Sequence, residues 1–350
     1  MEKSEQYRML PQTLLPWFAA NARDLPWRKD REPYHVWLSE IMLQQTRVEA
    51  VRGYYLRFLE ALPDVEALAS ADEEKLLKLW EGLGYYSRAR NLQKTARVIV
   101  SEYGGVFPQS YDAIRALPGV GPYTAGAIAS ICFDQRRAAV DGNVLRVLSR
   151  VTACTDAVDL PKVKQDMTDN LENVYPAEAG AFTQSMMELG ATVCTPRSPR
   201  CADCPCKAFC SAFQQGTAAQ FPVRLPKREK RMEEKTVFLL QSGDKFAICR
   251  REDRGLLSGL WQFPNEPGAL DARSAMLRCA EMGLRPVELC REVHRSHIFT
   301  HIRWELTAYH ILCGTEAEPF VWAAPEELTE RYALPTAFRQ FLPDVLPTEG

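Results

Sequence analysis

Residues Leu117–Ala125 have the sequence LPGVGPYTA, in which two glycines stand directly before a run of small and apolar residues. Gly119 and Gly121 permit the backbone conformations of a tight turn, and a helix continues from there through Ala127 and Ile128. The first turn of such a helix presents free backbone N–H groups, which suit a DNA phosphate. A glycine turn before a helix is common, so taken alone this pattern predicts a helix start with a candidate phosphate contact.

Around this turn, the sequence is helical in pattern from Leu10 to about Cys194, because its apolar residues recur at helical spacing and do not alternate as strands require. A capping box is predicted at Ser70–Glu73. The predicted helices are Pro33–Leu43, Ala89–Ser101, Thr124–Phe133, Val144–Ala153 and Ala181–Leu189. This part of the chain is expected to be all-α.

The pattern changes after Cys210. Arg224–Lys235, with the sequence RLPKREKRMEEK, is dense in charge and indicates an exposed linker. The segments predicted beyond it are strands at Thr236–Leu240, Lys245–Arg250, Val287–His294 and Ile302–Ile311, a hairpin turn at Ser242–Asp244, and helices at Ala275–Glu281 and Thr336–Leu342. We therefore predict an all-α domain over residues 1–215, a charged linker over 216–234 and a smaller α+β domain over 235–350.

The bulk composition limits the class of protein without identifying it. A chain of 350 residues suits two domains. The net charge of −2 gives no sign of a nucleic-acid partner, so any DNA contact must come from local basic groups. No signal peptide follows Met1 and no segment is apolar enough to span a bilayer. We expect an intracellular monomer, in the cytoplasm or nucleoid if bacterial, with no membrane partner.

The chain has eleven cysteines, and this odd number argues against a complete disulfide framework. Four of them have the spacing C-x6-C-x2-C-x5-C and could enclose one metal centre: Cys194, Cys201, Cys204 and Cys210. Zinc, an iron–sulfur cluster and unliganded thiols all remain open, since zinc and clusters both accept four thiolates. Cys206 is an additional cysteine with no expected role. Arg197 and Arg200 lie between the first two of the four and are candidate phosphate contacts.

Three further segments carry a family resemblance: Arg23–Arg28 (RDLPWR), Trp37–Thr46 (WLSEIMLQQT) and Gly82–Arg90 (GLGYYSRAR). Together with LPGVGPYTA, which resembles a helix-hairpin-helix motif, they closely resemble the MutY family, and the resemblance covers essentially the whole chain. It implies a helix-hairpin-helix DNA glycosylase domain. The cysteine spacing is the one found in that superfamily, which also includes endonuclease III, and it implies a [4Fe–4S] cluster.

The resemblance also implies roles for particular residues. Glu40 would be the acid that protonates adenine and later assists water, and Asp141 the carboxylate that stabilises the sugar cation. Asp141 is also a good N-cap for the helix that starts near Asn143, and the two roles are compatible. The other residues implied are Tyr123 and Asn143 for positioning, Arg23, Leu43 and Gln184 around the adenine, and Gln45 and Tyr85 as wedges in the duplex.

Tyr123 has a chemical consequence of its own. Relatives with lyase activity have a lysine at this place, whose amine forms a Schiff base with the sugar; a phenol cannot do this. The resemblance therefore implies a monofunctional glycosylase of base-excision repair.

In the second half, Gly255–Pro264 resembles the Nudix-like domain of the same family. Met276, Leu277 and Ala280 stand where a Nudix hydrolase has an arginine and two glutamates, and only Glu281 remains, so the fold is expected without the hydrolysis. Three residues between two predicted strands match the loop that recognises 8-oxoguanine, with threonine in place of serine: Phe299, Thr300 and His301.

The expected partner is double-stranded DNA with adenine opposite 8-oxoguanine or guanine, and the expected reaction is hydrolysis of the adenine N-glycosidic bond. Two alternatives remain. One is a bifunctional glycosylase/lyase for damaged pyrimidines, against which Tyr123 and the second domain argue. The other is a non-catalytic iron–sulfur protein that only binds DNA or senses redox state, which would have no need of Glu40.

Overall fold

The structure is a computed structural model that describes residues 1–226, 229–252 and 254–346. Its chain divides into two compact units: unit 1 consists of Met1–Ser70 and Asn91–Pro226, and unit 2 of Ala71–Arg90 and Lys227–Gly350. The predicted fold class is confirmed, with a helical part followed by a part built on a mixed sheet. No helix among the described residues is long and apolar enough to cross a membrane.

The helices before the sheet are α1 (Lys3–Asn21), α2 (Pro33–Leu43), α3 (Val48–Ala61), α4 (Val65–Ser70), α5 (Glu73–Leu79), α6 (Ser87–Tyr103), α7 (Tyr111–Ala116), α8 (Pro122–Phe133), α9 (Gly142–Val151), α10 (Pro161–Glu172), α11 (Ala179–Thr192) and α12 (Ser211–Gln214). Helix α8 is buried along most of its length and packs against α2, α7 and α11. Gly126 lets the segment after the helix approach closely, since a Cβ there would lie 2.4 Å from the carbonyl oxygen of Ala138.

The predicted capping box at Ser70–Glu73 is wrong. Ser70 is the last residue of α4, and its hydroxyl donates to the carbonyl oxygen of Glu66 at 2.8 Å. The N-cap of α5 is Asp72, whose carboxylate accepts from the backbone N–H groups of Glu74 and Lys75. A serine and an aspartate two residues apart both suit an N-cap, and here the serine belongs to the preceding helix.

Unit 2 contains β1 (Arg231–Ser242), β2 (Lys245–Arg250), β3 (Trp261–Gln262), β4 (Asn265–Pro267), α13 (Ala272–Glu281), β5 (Pro286–Ile298), β6 (Ile302–Cys313), β7 (Val321–Ala323), α14 (Pro325–Glu330), α15 (Thr336–Arg339) and α16 (Leu342–Val345). The sheet order is β3-β2-β1-β6-β5; β1 is parallel to β6, and β5 and β6 form an antiparallel hairpin. One face packs on α14–α16, and the other packs on α13.

Strand β1 starts five residues before the predicted Thr236, so the predicted linker over 216–234 is too long at its end. Arg231–Lys235 pairs with Ile302–Leu306 through the backbone, and such pairing does not require apolar side chains. Because its first residues are charged, the start of this strand was not recognised from the sequence. Lys227 and Arg228, also within the predicted linker, lie outside the described residues.

The predicted domain limits also differ from the two units at Ala71–Arg90, which was assigned to the helical domain. In this segment the buried carboxylate of Glu81 accepts from the backbone N–H of Leu334 at 2.8 Å. Arg90 donates to the carbonyl oxygen of Ser258 at 3.0 Å. These long-range hydrogen bonds group the segment with the sheet, and no local sequence pattern indicates them.

The cap assignment can be tested with two alanine variants. Asp72→Ala should lower the free energy of unfolding by about 1 kcal/mol, because two backbone N–H groups at the start of α5 lose their acceptor. Ser70→Ala should change it by less than about 0.5 kcal/mol, as is usual for exposed positions. Urea denaturation of both variants measures the difference, and a larger loss for Ser70→Ala would contradict the structure.

Candidate active site

A cavity of about 600 Å³ in unit 1 gathers residues that lie far apart in the sequence. Helices α2, α8, α9 and α11 all contribute to its walls. Eight of the residues predicted from the sequence line it: Arg23, Glu40, Leu43, Gln45, Tyr123, Asp141, Asn143 and Gln184. The structure thus brings both predicted catalytic carboxylates into one enclosed space.

Glu40 is only 6% exposed, although a glutamate on an amphipathic helix usually faces solvent. The Tyr123 hydroxyl donates to its Oε2 at 2.6 Å. Burial, which disfavours the charged carboxylate, raises the pKa of Glu40 to about 7; the hydrogen bond from Tyr123 opposes this, and the charge of Asp141 adds to it. Glu40 can therefore hold or release a proton near neutral pH.

Asp141 is held at the start of α9. Its Oδ1 accepts from the backbone N–H groups of Asn143 and Val144 at 2.9 and 2.8 Å, so the predicted N-cap is confirmed. Its Oδ2 accepts from the Asn143 side-chain amide at 2.7 Å. These hydrogen bonds fix the carboxylate in one orientation.

Arg146 connects the start of α9 to the cysteine segment. Its guanidinium donates to Asn143 Oδ1 at 3.0 Å and to the carbonyl oxygens of Gly190 and Cys194, both at 2.8 Å. Arg146 is 6% exposed, and each of these partners is an oxygen acceptor. Asn143, which orients Asp141, is therefore itself held in place by Arg146.

Sequence reasoning missed Glu188, whose side chain is fully buried beside the cavity. It accepts from Arg23 Nε at 2.6 Å and from Arg28 Nη2 at 2.8 Å. Burial opposes its charge, but the hydrogen bonds and charges of these two arginines outweigh burial and lower the pKa of Glu188. One signal could have found it: Glu188 lies one helical turn after Gln184 and therefore on the same face of α11.

The four predicted cysteine ligands, together with Cys206, line a second, much smaller opening of about 20 Å³. The buried Arg150 lies beside it and donates to Cys194 Sγ at 3.3 Å and to the carbonyl oxygen of Thr195 at 2.8 Å. Within the described ranges, no three His, Cys, Asp or Glu side chains are grouped closely enough for one metal ion. The nearby Arg197 and Arg200 are exposed, as a contact with phosphate would require.

The glycine turn has the predicted form. Gly119 has a φ of +71°, and a Cβ there would lie 2.9 Å from the side chain of Asn91, so both conformation and space require glycine. Gly121 is the N-cap of α8, and no other group lies within 4 Å of where its Cβ would be. A ligand can therefore approach the backbone N–H groups at the start of α8 closely.

In unit 2, Phe299, Thr300 and His301 form the tip of the β5–β6 hairpin, and we call these three residues the recognition loop. The Tyr85 hydroxyl and Thr300 Oγ1 are hydrogen-bonded at 2.8 Å. Tyr85 has a φ of +46° and is 48% exposed, which is unusual for a tyrosine in an ordered turn. The structure thus joins two predicted DNA-contacting segments that are separated by more than two hundred residues in sequence.

The environment of Glu40 can be measured directly. A carboxyl carbon titrating near pH 7 is expected in nuclear magnetic resonance spectra and should be absent from Glu40→Gln. Tyr123→Phe removes the hydrogen bond that favours the carboxylate, so the pKa of Glu40 should rise further. A Glu40 carboxyl group that titrates near pH 4.5 would contradict its burial in the cavity.

Both parts of the chain match families of known proteins. A family model described as HhH-GPD superfamily base excision DNA repair protein matches residues 38–173, and a NUDIX domain model matches residues 236–344. Among solved structures, a thermostable thymine-DNA glycosylase has a TM-score of 0.56 at 29% identity, covering 60% of this chain and 98% of its own.

Two curated relatives named adenine DNA glycosylase extend over most of the chain. The Mus musculus protein is 38% identical, covering 85% of this chain and 69% of its own length. The Schizosaccharomyces pombe protein is 31% identical, covering 91% of this chain and 85% of its own length. The chain belongs to the adenine DNA glycosylase family.

Proposed function

We propose that this enzyme hydrolyses the N-glycosidic bond of adenine in double-stranded DNA, with adenine opposite 8-oxoguanine or guanine as its target. One observation carries the proposal: a buried glutamic acid with a pKa near 7 shares a cavity with a fixed carboxylate. Glycosidic cleavage requires such a pair, since the departing base needs a proton and the sugar develops positive charge.

The target adenine must leave the duplex before an acid can reach it, and the cavity of about 600 Å³ has room for a purine. In its neutral form Glu40 donates a proton to adenine N7, so the base leaves as a neutral molecule. The same carboxylate then accepts a proton from the attacking water. A pKa close to neutral serves both steps, because neither protonation state is strongly disfavoured.

Asp141 stabilises the sugar cation. Its orientation is set by Asn143 and the start of α9, so little reorganisation is needed as charge develops on the sugar. Tyr123 holds Glu40 and supplies no amine for a Schiff base. These contacts support a monofunctional enzyme over the bifunctional alternative. A protein that only binds DNA has no need of a buried carboxyl group whose pKa lies near 7.

Cys194, Cys201, Cys204 and Cys210 are proposed to hold a [4Fe–4S] cluster. Four thiols around one opening fit its donor set. Zinc accepts the same four thiolates, and the family resemblance of the cysteine spacing favours the cluster. The cluster would supply a rigid scaffold for the loop that carries Arg197 and Arg200. Those arginines and the N–H groups near Gly121 would bind phosphates.

Unit 2 is proposed to recognise the base opposite the adenine. Hydroxyl and imidazole groups at Thr300 and His301 can donate or accept hydrogen bonds, and both side chains are exposed. The hydrogen bond between Tyr85 and Thr300 places an aromatic ring beside this polar tip. An aromatic side chain next to hydrogen-bonding groups suits an unstacked site in a duplex.

The catalytic roles are tested by two isosteric variants. Glu40→Gln removes the proton donor and Asp141→Asn removes the charge, so each should slow adenine release at least about a hundredfold. Single-turnover assays on an adenine·8-oxoguanine duplex measure this, with binding measured in parallel as the control. Near-normal turnover by either variant would refute the assigned role.

Strand cleavage distinguishes the bifunctional alternative. The unaltered enzyme should leave an abasic strand intact until alkali is added, because Tyr123 cannot form a Schiff base. Efficient borohydride trapping of the enzyme on DNA would favour the alternative.

The cluster is tested by metal analysis. Purified protein should contain about four iron atoms per chain. Cys201→Ser should lose iron, and Cys206→Ser, at a cysteine lining the same opening, is the matched control and should retain it. Stoichiometric zinc without iron would contradict the assignment.

The recognition loop is tested by its selectivity. Combined Thr300→Ala and His301→Ala should lower the preference for adenine opposite 8-oxoguanine over adenine opposite guanine, since each good polar contact contributes roughly 1–3 kcal/mol to base discrimination. Thr300→Ser keeps the hydroxyl and should be nearly silent. Ratios of single-turnover rates on the two duplexes measure the effect, and an unchanged ratio in the double variant would show that unit 2 has another task.

A further inference from the structure

The indole of Trp304 lies beneath the recognition loop and is 2% exposed. Trp304 pairs in register with Glu233 on β1 and with His297 on β5, so the three side chains form a row across one face of the sheet. It is the large buried residue of this face nearest the hairpin tip, since β6 begins only two residues earlier.

The Phe299 ring packs on this row. It contacts Trp304 edge-on at 4.7 Å between ring centroids and His297 at 4.5 Å. Phe299 is half-buried, whereas the next two loop residues are exposed. The position of the Phe299 ring therefore limits where Thr300 and His301 can project.

Trp304 is held in its plane by polar contacts at its edge and over its face. Its Nε1–H donates to Glu233 Oε2 at 2.9 Å, and the other Glu233 oxygen accepts from the Arg231 guanidinium. The Lys235 ammonium lies 4.8 Å from the indole centroid, and the Arg251 guanidinium lies 5.8 Å from it. With a hydrogen bond at its edge and cations over its face, the indole keeps a defined ring orientation.

Residues at the start of β1 also hold the backbone of the recognition loop. Lys230 Nζ donates to the Phe299 carbonyl oxygen at 2.8 Å, and the Arg231 N–H donates to the His301 carbonyl oxygen at 3.0 Å. With the backbone held on both sides, the orientation of the Phe299 ring remains to be set, and Trp304 sets it.

We propose that Glu233 and Trp304 are positioning residues for opposite-base discrimination: the hydrogen bond between them orients the indole that seats Phe299, and thereby places Thr300 and His301 against the base. This inference rests on the proposed role of the recognition loop. Hydrogen bonds weaken steeply with misalignment, so a tilted Trp304 ring would misplace Thr300 and His301 and reduce discrimination. The cavity in unit 1 would be unaffected.

The test is Trp304→Phe in the full-length enzyme, which keeps an aromatic ring and removes the N–H donor. The ratio of single-turnover rates on adenine·8-oxoguanine and adenine·guanine duplexes should fall by roughly fivefold or more, the low end of what one good polar contact contributes. The rate on the adenine·guanine duplex should not change. The matched control is Trp322→Phe, which also loses an indole hydrogen bond, to the Ala317 carbonyl oxygen, but packs on the opposite face of the sheet.

Glu233 provides the second arm and covers the case in which Trp304→Phe fails to fold. Glu233→Ala should reproduce the loss, whereas Glu233→Gln keeps an acceptor for the indole and should restore most of the ratio. Combining Glu233→Ala with Trp304→Phe should cost no more than either change alone, as expected when both remove one interaction.

The outcomes separate this inference from the function beneath it. If the Thr300/His301 double variant loses discrimination while Trp304→Phe and Glu233→Ala retain it, the positioning role is wrong and the loop assignment stands. If Trp322→Phe lowers the ratio as much as Trp304→Phe, general destabilisation explains the effect and the inference is overturned. If the Thr300/His301 double variant discriminates like the unaltered enzyme, both proposals fall.

Discussion

The hydrogen bond from Tyr123 to Glu40 is the interaction on which the helical unit's chemistry depends. It joins α8 to α2 inside a cavity, where a charged carboxylate without a partner would be strongly disfavoured. Burial and the charge of Asp141 raise the pKa, the phenol lowers it, and the balance lies near 7. The contact also depends on the packing of α8 against α2.

Helix α9 extends this arrangement away from the cavity. Asp141 caps its first turn, and Arg146 and Arg150 carry its contacts to the cysteine segment. Both arginines are buried, and their guanidinium groups donate to backbone carbonyl oxygens. One ten-residue helix therefore contacts both the Asp141 carboxylate and the cysteine segment.

The features predicted correctly from the sequence are those that local patterns and motifs determine. The helical half, the glycine turn and the N-cap role of Asp141 follow from spacing and backbone preference, and each is present in the structure. The beginning of β1 did not follow, because its first residues are charged and the strand depends on pairing with β6. Glu188 was missed for a related reason: its spacing from Gln184 indicates a shared helix face, but not that two arginines more than a hundred residues away pair with it.

The same distinction explains why Trp304 could not be assigned a task from sequence. In the alternating pattern of β6 it is one more inward-facing apolar residue, and only the register with β1 brings Glu233 to its N–H. Each unit thus contains a hydrogen bond from an aromatic side chain to a glutamate on another element: Tyr123 to Glu40 in unit 1 and Trp304 to Glu233 in unit 2. A chain with a net charge of −2 has little general attraction for DNA, so its contacts with DNA must come from local groups.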